Sequence, residues 1–156
     1  MVGGVTRFSL WAQGHASASV EIEGIGNYAL DDAGNGYIRA DVPGVEPGAR
    51  YWFRIDGGLR LPDLASRWQP DGSDGASVVV ASDFAWSDQN WAGVAPRDQV
   101  LYEVHIGTFT QEGTWAAASA RLKSLRDLGI TVIQLMPVGT FKGRFGWGYD
   151  TALPYA

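Results

Sequence analysis

The sequence predicts an antiparallel β-sandwich followed by one strand–helix–strand unit of an α/β fold. Three observations lead to this prediction. Between residues 5 and 81, short segments that alternate apolar and polar residues are separated by turn signals. Two apolar runs without alternation follow at 100–106 and 130–136, and such runs suit strands that are covered on both faces. A helical pattern at 115–128 lies between the two runs.

Four segments of the first part predict strands by their alternation. Their apolar positions are Phe8 and Leu10, then Val20 and Ile22, then Ile38, Ala40 and Val42, then Tyr51, Phe53 and Ile55. Turn signals separate them at 31–36 and at the Pro-Gly pairs of 43–48. The Asp56-Gly57 pair predicts a tight hairpin that leads into a short strand at 59–61, and a last strand is predicted at 78–80. Short strands at this spacing are typical of a sandwich.

The predicted helix of the second part has recognisable ends. Thr114 is a suitable N-cap residue, and Gly129 stands at the expected C-terminal stop. Ala118, Leu122 and Leu125 lie on one stripe of the helix. A strand, a helix and a second strand with a right-handed crossover form the repeating unit of α/β folds.

We therefore divide the chain into a sandwich at 1–82, a linker at 83–98 and an incomplete α/β unit at 99–156. The aromatic residues of the linker, which we expect to be buried at a domain junction, are Phe84, Trp86 and Trp91. One strand–helix–strand unit cannot close a sheet or cover both of its faces. We therefore expect the chain to be the N-terminal piece of a longer protein.

Composition and charge argue against several classes of function. The formal net charge of -5 and the absence of a Lys/Arg run exclude nucleic acid and anionic membrane as expected partners. Without cysteine there is no disulfide, thiolate nucleophile or cysteine metal site. His15 and His105 are too far apart along the chain to suggest a metal site, so we expect neither a metal nor a cofactor. No leader or membrane-spanning pattern occurs, which predicts a cytoplasmic protein.

The glycine-rich and aromatic segment 139–155 is the candidate binding loop. It follows the second apolar run, and ligands of α/β folds meet the loops beyond the carboxyl ends of the strands. Trp147 and Tyr149 offer ring faces for the C–H side of a sugar, and Asp150 offers an acceptor for its hydroxyls. His105, at the end of the first run, can reach the same cleft. The alternatives are a loop that only plugs this end of the fold and a histidine that is hydrogen-bonded to a neighbouring loop.

Six segments carry a resemblance to a known family. They are 8–12 (FSLWA), 50–58 (RYWFRIDGG), 62–70 (PDLASRWQP), 101–114 (LYEVHIGTFTQEGT), 125–137 (LRDLGITVIQLMP) and 146–150 (GWGYD). Through them the chain resembles the malto-oligosyltrehalose trehalohydrolases, a family of the alpha-amylase superfamily (glycoside hydrolase family 13). The resemblance covers nearly the whole chain, and the Gly-Thr-Phe-Thr-x-Glu-Gly-Thr run is fairly specific.

The resemblance implies a fold and an activity. The first part would be an immunoglobulin-like sandwich of the carbohydrate-binding-module type, and 99–156 would be the first βαβ unit of a (β/α)8 TIM barrel. The whole enzyme would cleave the α-1,4 bond next to the trehalose end of maltooligosyl trehalose and release trehalose. Its partners would be α-glucans. Tyr149 would stack under the sugar at the cleavage subsite, with Asp150 beside it.

No catalytic residue is assigned within this chain. Glycoside cleavage with retention needs a nucleophilic carboxylate and an acid roughly 5–5.5 Å apart, and the resemblance implies that both lie on later strands. We expect a buried structural ion pair for Glu103, and we expect Glu112 to be a helix-entry or hydrogen-bonding residue of the loop after the strand. Leu64 and the Ser73-Asp74 pair depart from the family pattern, which puts the local geometry of the junction in doubt.

Two other hypotheses stay open. One is a stand-alone α-glucan-binding module, which leaves the apolar strand–helix–strand unit unexplained. The other is a fragment of a glycogen branching or debranching enzyme, which shares the barrel motifs but fits 56–67 less well. Trp52 points away from Tyr51 and Phe53, and we favour packing at the domain interface over sugar stacking for its ring.

Overall fold

The computed structural model describes residues 4–156, and β-strands dominate it. The strands are β1 (Val5–Trp11), β2 (Ala18–Ile22), β3 (Gly26–Ala29), β4 (Asp31–Gly34), β5 (Tyr37–Pro43), β6 (Arg50–Ile55), β7 (Arg60–Leu61), β8 (Ser77–Val78), β9 (Leu101–Val104), β10 (Val132–Leu135), β11 (Thr140–Phe141) and β12 (Thr151–Leu153). The helices are α1 (Ile106–Phe109) and α2 (Trp115–Leu128), and a short 3-10 turn spans Pro96–Asp98. Within 4–156, no helix is long and apolar enough to cross a membrane.

The first eight strands form two antiparallel sheets that share one core. One sheet has the order β1-β5-β4, and the other has the order β3-β2-β6-β7 with β8 paired to β6. Both sheets contribute buried side chains to a single cluster, as expected of a sandwich. The members of this cluster are Phe8, Val20, Ile22, Leu30, Val42, Val45, Tyr51, Phe53 and Val79. The alternation in the sequence therefore predicted the inward-facing positions of β1, β2, β5 and β6 correctly.

The hairpin between β6 and β7 is confirmed. Asp56 and Gly57 both have positive φ, 50° and 68°, which a tight primed turn requires. The Asp56 carboxylate also accepts hydrogen bonds from the backbone N–H groups of Ala16 (2.9 Å) and Ser17 (3.0 Å). These bonds tie the turn to the loop that precedes β2, and they help an aspartate to tolerate the left-handed conformation.

The interpretation of 31–36 as a turn is wrong. Asp31–Gly34 is the edge strand β4, and the turn is confined to Asn35 and Gly36, whose φ values are 57° and 80°. All four residues of β4 are exposed, so the strand has no apolar face to produce an alternating pattern. The sequence analysis also missed β3, where Tyr28 is the one large side chain that packs against the core. The last predicted strand is displaced towards Ser77.

A charged cluster lies on the outer face of the second sheet. The Glu21 carboxylate accepts a hydrogen bond from Arg54 Nε at 2.7 Å and a second one from the Arg60 guanidinium. That guanidinium also lies over the Trp52 ring, 4.5 Å from its centroid. Arg60 therefore covers a face of Trp52 that a sugar would need for stacking.

This cluster predicts a loss of stability in acid. Hydrogen bonds from Arg60 and Arg54 lower the pKa of Glu21 from 4.5 to about 2. Because the pKa is depressed in the folded state, the stabilisation is present above pH 4.5 and is lost as the pH falls towards about 2. We expect Glu21→Gln to lower the free energy of unfolding at pH 7. Near pH 2, the free energies of unfolding of the variant and the parent chain are expected to be equal. Urea unfolding at several pH values between 7 and 2 measures both.

The control for this prediction is Glu23→Gln. Glu23 is exposed in the turn directly after β2, and within 4–156 it forms no ion pair closer than 4.0 Å. We expect its stability curve to follow that of the parent chain. A gap between Glu21→Gln and the parent that stays constant from pH 7 to pH 2 would contradict the electrostatic origin of the effect.

The second part contains the predicted parallel strand pair. β9 and β10 pair in parallel, from Leu101 with Val132 to Val104 with Leu135. Both strands are shorter than predicted, and β9 ends early because the chain turns into α1 directly after His105. The His105 carbonyl accepts hydrogen bonds from the N–H groups that begin this turn.

The predicted helix α2 is confirmed at both ends. Thr114 Oγ1 accepts a hydrogen bond from Ala117 N at 3.3 Å, and Gly129 ends the helix with a φ of 102°. Ala118 is buried, whereas Leu122 remains 47% exposed. The predicted stripe of Ala118, Leu122 and Leu125 thus faces β9 and β10. These two strands cover the stripe only in part.

Two predictions about burial are wrong. Phe84, Trp86 and Trp91 are 73%, 66% and 71% exposed, because no strand or helix between β8 and the 3-10 turn brings them against either domain. Phe84 and Trp86 pack edge to face on each other instead, with centroids 4.7 Å apart. Glu103 is exposed and accepts a hydrogen bond from Gln134 Nε2 at 3.3 Å, because its face of the strand pair lies opposite α2 and carries no covering layer among residues 4–156.

Candidate functional site

A cavity of about 1140 Å³ opens at the carboxyl ends of β9 and β10. Three segments line it: residues 105–115, which include α1 and the first residue of α2, residues 136–138 after β10, and residues 141–147 at the end of β11 and in the loop that follows. Parallel strands bring their carboxyl ends to the same edge of a sheet, and this edge is where α/β folds place ligands. The cavity therefore lies where the sequence predicts the binding site.

Close packing holds the 142–150 loop against the strand ends. The hairpin of β11 and β12 fixes its base, and Thr151 Oγ1 donates a hydrogen bond to the Gly148 carbonyl at 2.6 Å. Gly148 has a φ of 88°, and a Cβ there would overlap the carbonyl oxygen of Pro137. A Cβ on Gly146 would lie 2.9 Å from the Phe141 ring. Position 148 therefore requires glycine, and a larger residue at position 146 would have to displace the Phe141 ring.

His105 connects the end of β9 to this loop. Its Nε2 lies 3.1 Å from the Gly146 carbonyl oxygen, and its Nδ1 lies 3.2 Å from Thr108 Oγ1. The interpretation of His105 as a histidine that is hydrogen-bonded to a neighbouring loop is thus confirmed. The same side chain also lines the cavity.

The structure brings together two of the four predicted site residues. Trp147 lines the cavity with His105, and 73% of its surface is exposed. Tyr149 and Asp150 are also exposed, but they lie at the end of the loop and are not part of the cavity lining. Their role in binding stays a prediction.

Three further side chains of the cavity were missed by the sequence analysis. Phe141, Arg144 and Phe145 line it, and the Arg144 guanidinium lies 5.2 Å from the Phe145 ring centroid. All three belong to the same glycine-rich, aromatic stretch as Trp147, and that shared composition is the signal that identifies them. Trp115, interpreted only as the first residue of the helix, also lines the cavity.

The lining of the cavity is suited to binding a sugar. Trp115, Phe145 and Trp147 supply aromatic faces, and Gln111 and Glu112 supply groups that bind hydroxyls. Glu112 is the single carboxylate among the described lining residues. Acid–base cleavage of a glycosidic bond needs two carboxyl groups, so this lining supplies binding groups without the catalytic pair. Among residues 4–156, no group of three or more acidic or histidine side chains has the geometry to hold a metal ion.

A second cavity of about 750 Å³ lies in the sandwich beside β1. Its polar side chains already bind one another: Arg7 pairs with Asp41 at 2.8 Å, and the Tyr51 hydroxyl donates to Asp63 at 2.8 Å. Burial, together with the charge of Asp63, raises the pKa of the Tyr51 phenol above its ordinary value. These pairs leave fewer free polar groups for a ligand than the cavity at the strand ends offers.

Two known structures show what the chain is similar to. A crystal structure assigned as an alpha amylase from Salmonella typhimurium matches with a TM-score of 0.92 and 42% identity over 99% of this chain and 26% of that chain. A pullulanase type I from Bacillus subtilis, solved with maltose, shows the same fold with a TM-score of 0.79 and 22% identity, over 96% of this chain and 26% of that chain. No family model matches the chain. The chain is similar to glycoside hydrolases of the alpha-amylase superfamily.

The similarity to proteins with curated names points to a narrower group than the similarity to known structures. The chain is 44% identical to the malto-oligosyltrehalose trehalohydrolase of Deinococcus radiodurans over 99% of this chain and 25% of that enzyme. It is 40% identical to the trehalohydrolase of Saccharolobus solfataricus over 98% of this chain and 27% of that enzyme. A 1,4-alpha-glucan branching enzyme of Corynebacterium jeikeium is 31% identical over 100% of this chain and 24% of that enzyme. The predicted resemblance to trehalohydrolases is confirmed, and the chain spans about a quarter of the length of these relatives.

Proposed function

We propose that the chain is the N-terminal part of a malto-oligosyltrehalose trehalohydrolase. The whole enzyme cleaves the α-1,4-glucosidic bond next to the trehalose end of maltooligosyl trehalose and releases trehalose. The observation that carries this proposal is the similarity of nearly every segment of the chain to several enzymes of that name. In this proposal, 1–82 is a carbohydrate-binding-type module, 83–98 is a linker and 99–156 begins the catalytic (β/α)8 barrel.

The sugar site of the proposed enzyme includes Trp147, Tyr149, Asp150 and His105. The aromatic cavity at the ends of β9 and β10 supports the assignment of Trp147 and His105, which line it, because rings stack on the C–H face of a glucose unit while polar neighbours bind its hydroxyls. The ligand is an α-glucan with a trehalose end. Tyr149 stacks under the sugar at the cleavage subsite, with Asp150 beside it.

The chain by itself binds sugar without cleaving it in this proposal. The described cavity lining contains Glu112 as its single carboxylate, and Glu103 is on an exposed sheet face with Gln134 as its partner. A nucleophile and an acid roughly 5–5.5 Å apart must therefore come from the remaining part of the enzyme.

A glycogen branching enzyme is the second candidate. The similarity to the Corynebacterium enzyme over the whole chain favours it. The identity to the trehalohydrolases is higher, and we therefore prefer trehalose release. The two activities differ in their product: a branching enzyme transfers a glucan segment to a new branch point, and a trehalohydrolase liberates a free disaccharide.

Product analysis tests the proposed function. We expect the protein extended to the length of its relatives to release trehalose from maltooligosyl trehalose and to leave the iodine staining of amylose unchanged. The 156-residue chain is expected to release no trehalose above a matched Glu112→Gln control, because the catalytic pair is absent from its cavity.

Two results would contradict this proposal. A fall in iodine staining without trehalose release would identify a branching enzyme. Trehalose release by the 156-residue chain that disappears in Glu112→Gln would show that the chain contains the catalytic machinery itself.

A further inference from the structure

We infer that His105 is a positioning residue of the sugar site, which holds the loop that carries Trp147 through the carbonyl of Gly146. The ligand in this inference is the α-glucan of the proposed function, and the inference rests on that proposal. The ordering of the loop by His105 depends only on contacts within the chain and is independent of the proposed function.

The partners of His105 define its protonation pattern. A carbonyl oxygen only accepts hydrogen bonds, so the 3.1 Å contact with the Gly146 carbonyl requires a proton on Nε2. In the neutral ring, Nδ1 then has a lone pair that accepts from the Thr108 hydroxyl at 3.2 Å, in competition with the His105 carbonyl oxygen, which lies 3.4 Å from the same hydroxyl. Both ring nitrogens are therefore engaged within the protein, and neither is free to bind a sugar hydroxyl.

Trp147 needs such an anchor because of its neighbours. It stands between Gly146 and Gly148, and glycine leaves the backbone more conformational freedom than any other residue. The Trp147 side chain is 73% exposed, so packing of the ring itself supplies little restraint. The backbone on either side must therefore define its direction.

The carbonyls of the two glycines that flank Trp147 each accept one hydrogen bond from a side chain. Thr151 Oγ1 donates to the Gly148 carbonyl at 2.6 Å, and His105 Nε2 donates to the Gly146 carbonyl. The threonine belongs to the same hairpin as the loop, whereas the histidine follows β9 and lies 41 residues away in sequence. His105 therefore provides the side-chain hydrogen bond that connects the loop to the end of β9, beside the close approach of Gly148 to Pro137 after β10.

Two substitutions of His105 distinguish the effect of its hydrogen bond to Gly146 from the effects of its other contacts. Gln places an amide N–H near the position of the histidine Nε2, whereas Asn ends near Nδ1 and is too short to reach Gly146. We expect His105→Asn to lower the ¹⁵N order parameters of Gly146, the Trp147 indole and Gly148 from about 0.85 to below about 0.6. His105→Gln is expected to restore most of the order, and Val104 in β9 is expected to stay rigid in both variants.

Three results of this measurement would overturn the inference. The first is unchanged order of the loop in His105→Asn. The second is an equal loss in His105→Gln, since the donor to Gly146 would then not be the cause. The third is an equal loss of order in β9 and β10, which would show that His105 stabilises the whole strand pair rather than the loop.

A double-mutant cycle tests the link to sugar binding in the whole enzyme. If His105 acts through Trp147, His105→Asn lowers kcat/KM for maltooligosyl trehalose about 10-fold alone and has almost no effect in a Trp147→Ala background. Equal losses in both backgrounds would overturn the inference. An extended protein that releases no trehalose would contradict the proposed function, while the order parameters would still decide the role of His105.

Discussion

Phe53→Ala is expected to lower the free energy of unfolding of the sandwich by about 3–5 kcal/mol. Phe53 is 1% exposed and lies at the centre of the shared core, where its ring packs edge to face against Tyr51 at a centroid distance of 5.8 Å. Truncation removes the buried apolar surface and leaves a cavity between two hydrogen-bonded sheets, which cannot collapse freely. Urea unfolding followed by circular dichroism measures the loss.

The matched control for this prediction is Trp11→Ala. Trp11 is a larger aromatic residue, but it stands at the end of β1 with 59% of its surface exposed. We expect its truncation to cost about 1 kcal/mol or less. Equal losses for the two variants would show that the shared core between the sheets does not determine the stability of the fold.

Tyr149→Ala is expected to lower kcat of the whole proposed enzyme about 100-fold while KM changes little. The ring of Tyr149 is 69% exposed at the end of the 142–150 loop, so its removal has little effect on packing. In the proposed site the ring orients the sugar at the cleaved bond. Misplacing a reacting group by about 1 Å can reduce the rate by about 100-fold.

Tyr149→Phe keeps the ring and is the control for this prediction. We expect it to retain most of the kcat of the parent enzyme, because stacking depends on the ring face rather than on the hydroxyl. A rise in KM alone for Tyr149→Ala would make Tyr149 a peripheral binding residue. A fall in Tm without a change in kcat or KM would show that the loop only packs against this end of the fold.

Much of the fold was predictable from two features of the sequence. These are the alternation of apolar and polar residues in the core strands and the capping residues at the ends of α2. β1, β2, β5 and β6 each have one face in a common core, so their apolar residues recur at every second position. The ends of α2 follow from Thr114 and Gly129, whose side-chain and backbone properties act within one turn of the helix.

Exposed elements were not predictable in the same way. All four residues of β4 are exposed, and none has a large apolar side chain, so its composition is that of a turn. Only its hydrogen bonds to β5 make it a strand. The burial of Trp86 and the partner of Glu103 depend on which surfaces meet in three dimensions. The residue types gave no information on those contacts, and both predictions were wrong.

The position of the cavity was predicted, but its lining was predicted only in part. His105 and Trp147 meet because the carboxyl ends of β9 and β10 lie at one edge, which follows from the parallel pairing. The sequence left open whether His105 contacts a ligand or a loop. The path of the 142–150 loop decides this question, and that path depends on the close approach of Gly148 to Pro137.

We propose that the 142–150 loop and the ends of β9 and β10 form an α-glucan site. A titration of the ¹⁵N-labelled chain with maltotriose, followed by NMR chemical shifts, measures binding at this site, with cellotriose as a β-linked control. We predict saturable shift changes in the Trp147 indole and in 146–150, and much smaller changes with cellotriose. Changes confined to the sandwich at 4–82, or equal changes with both sugars, would contradict it.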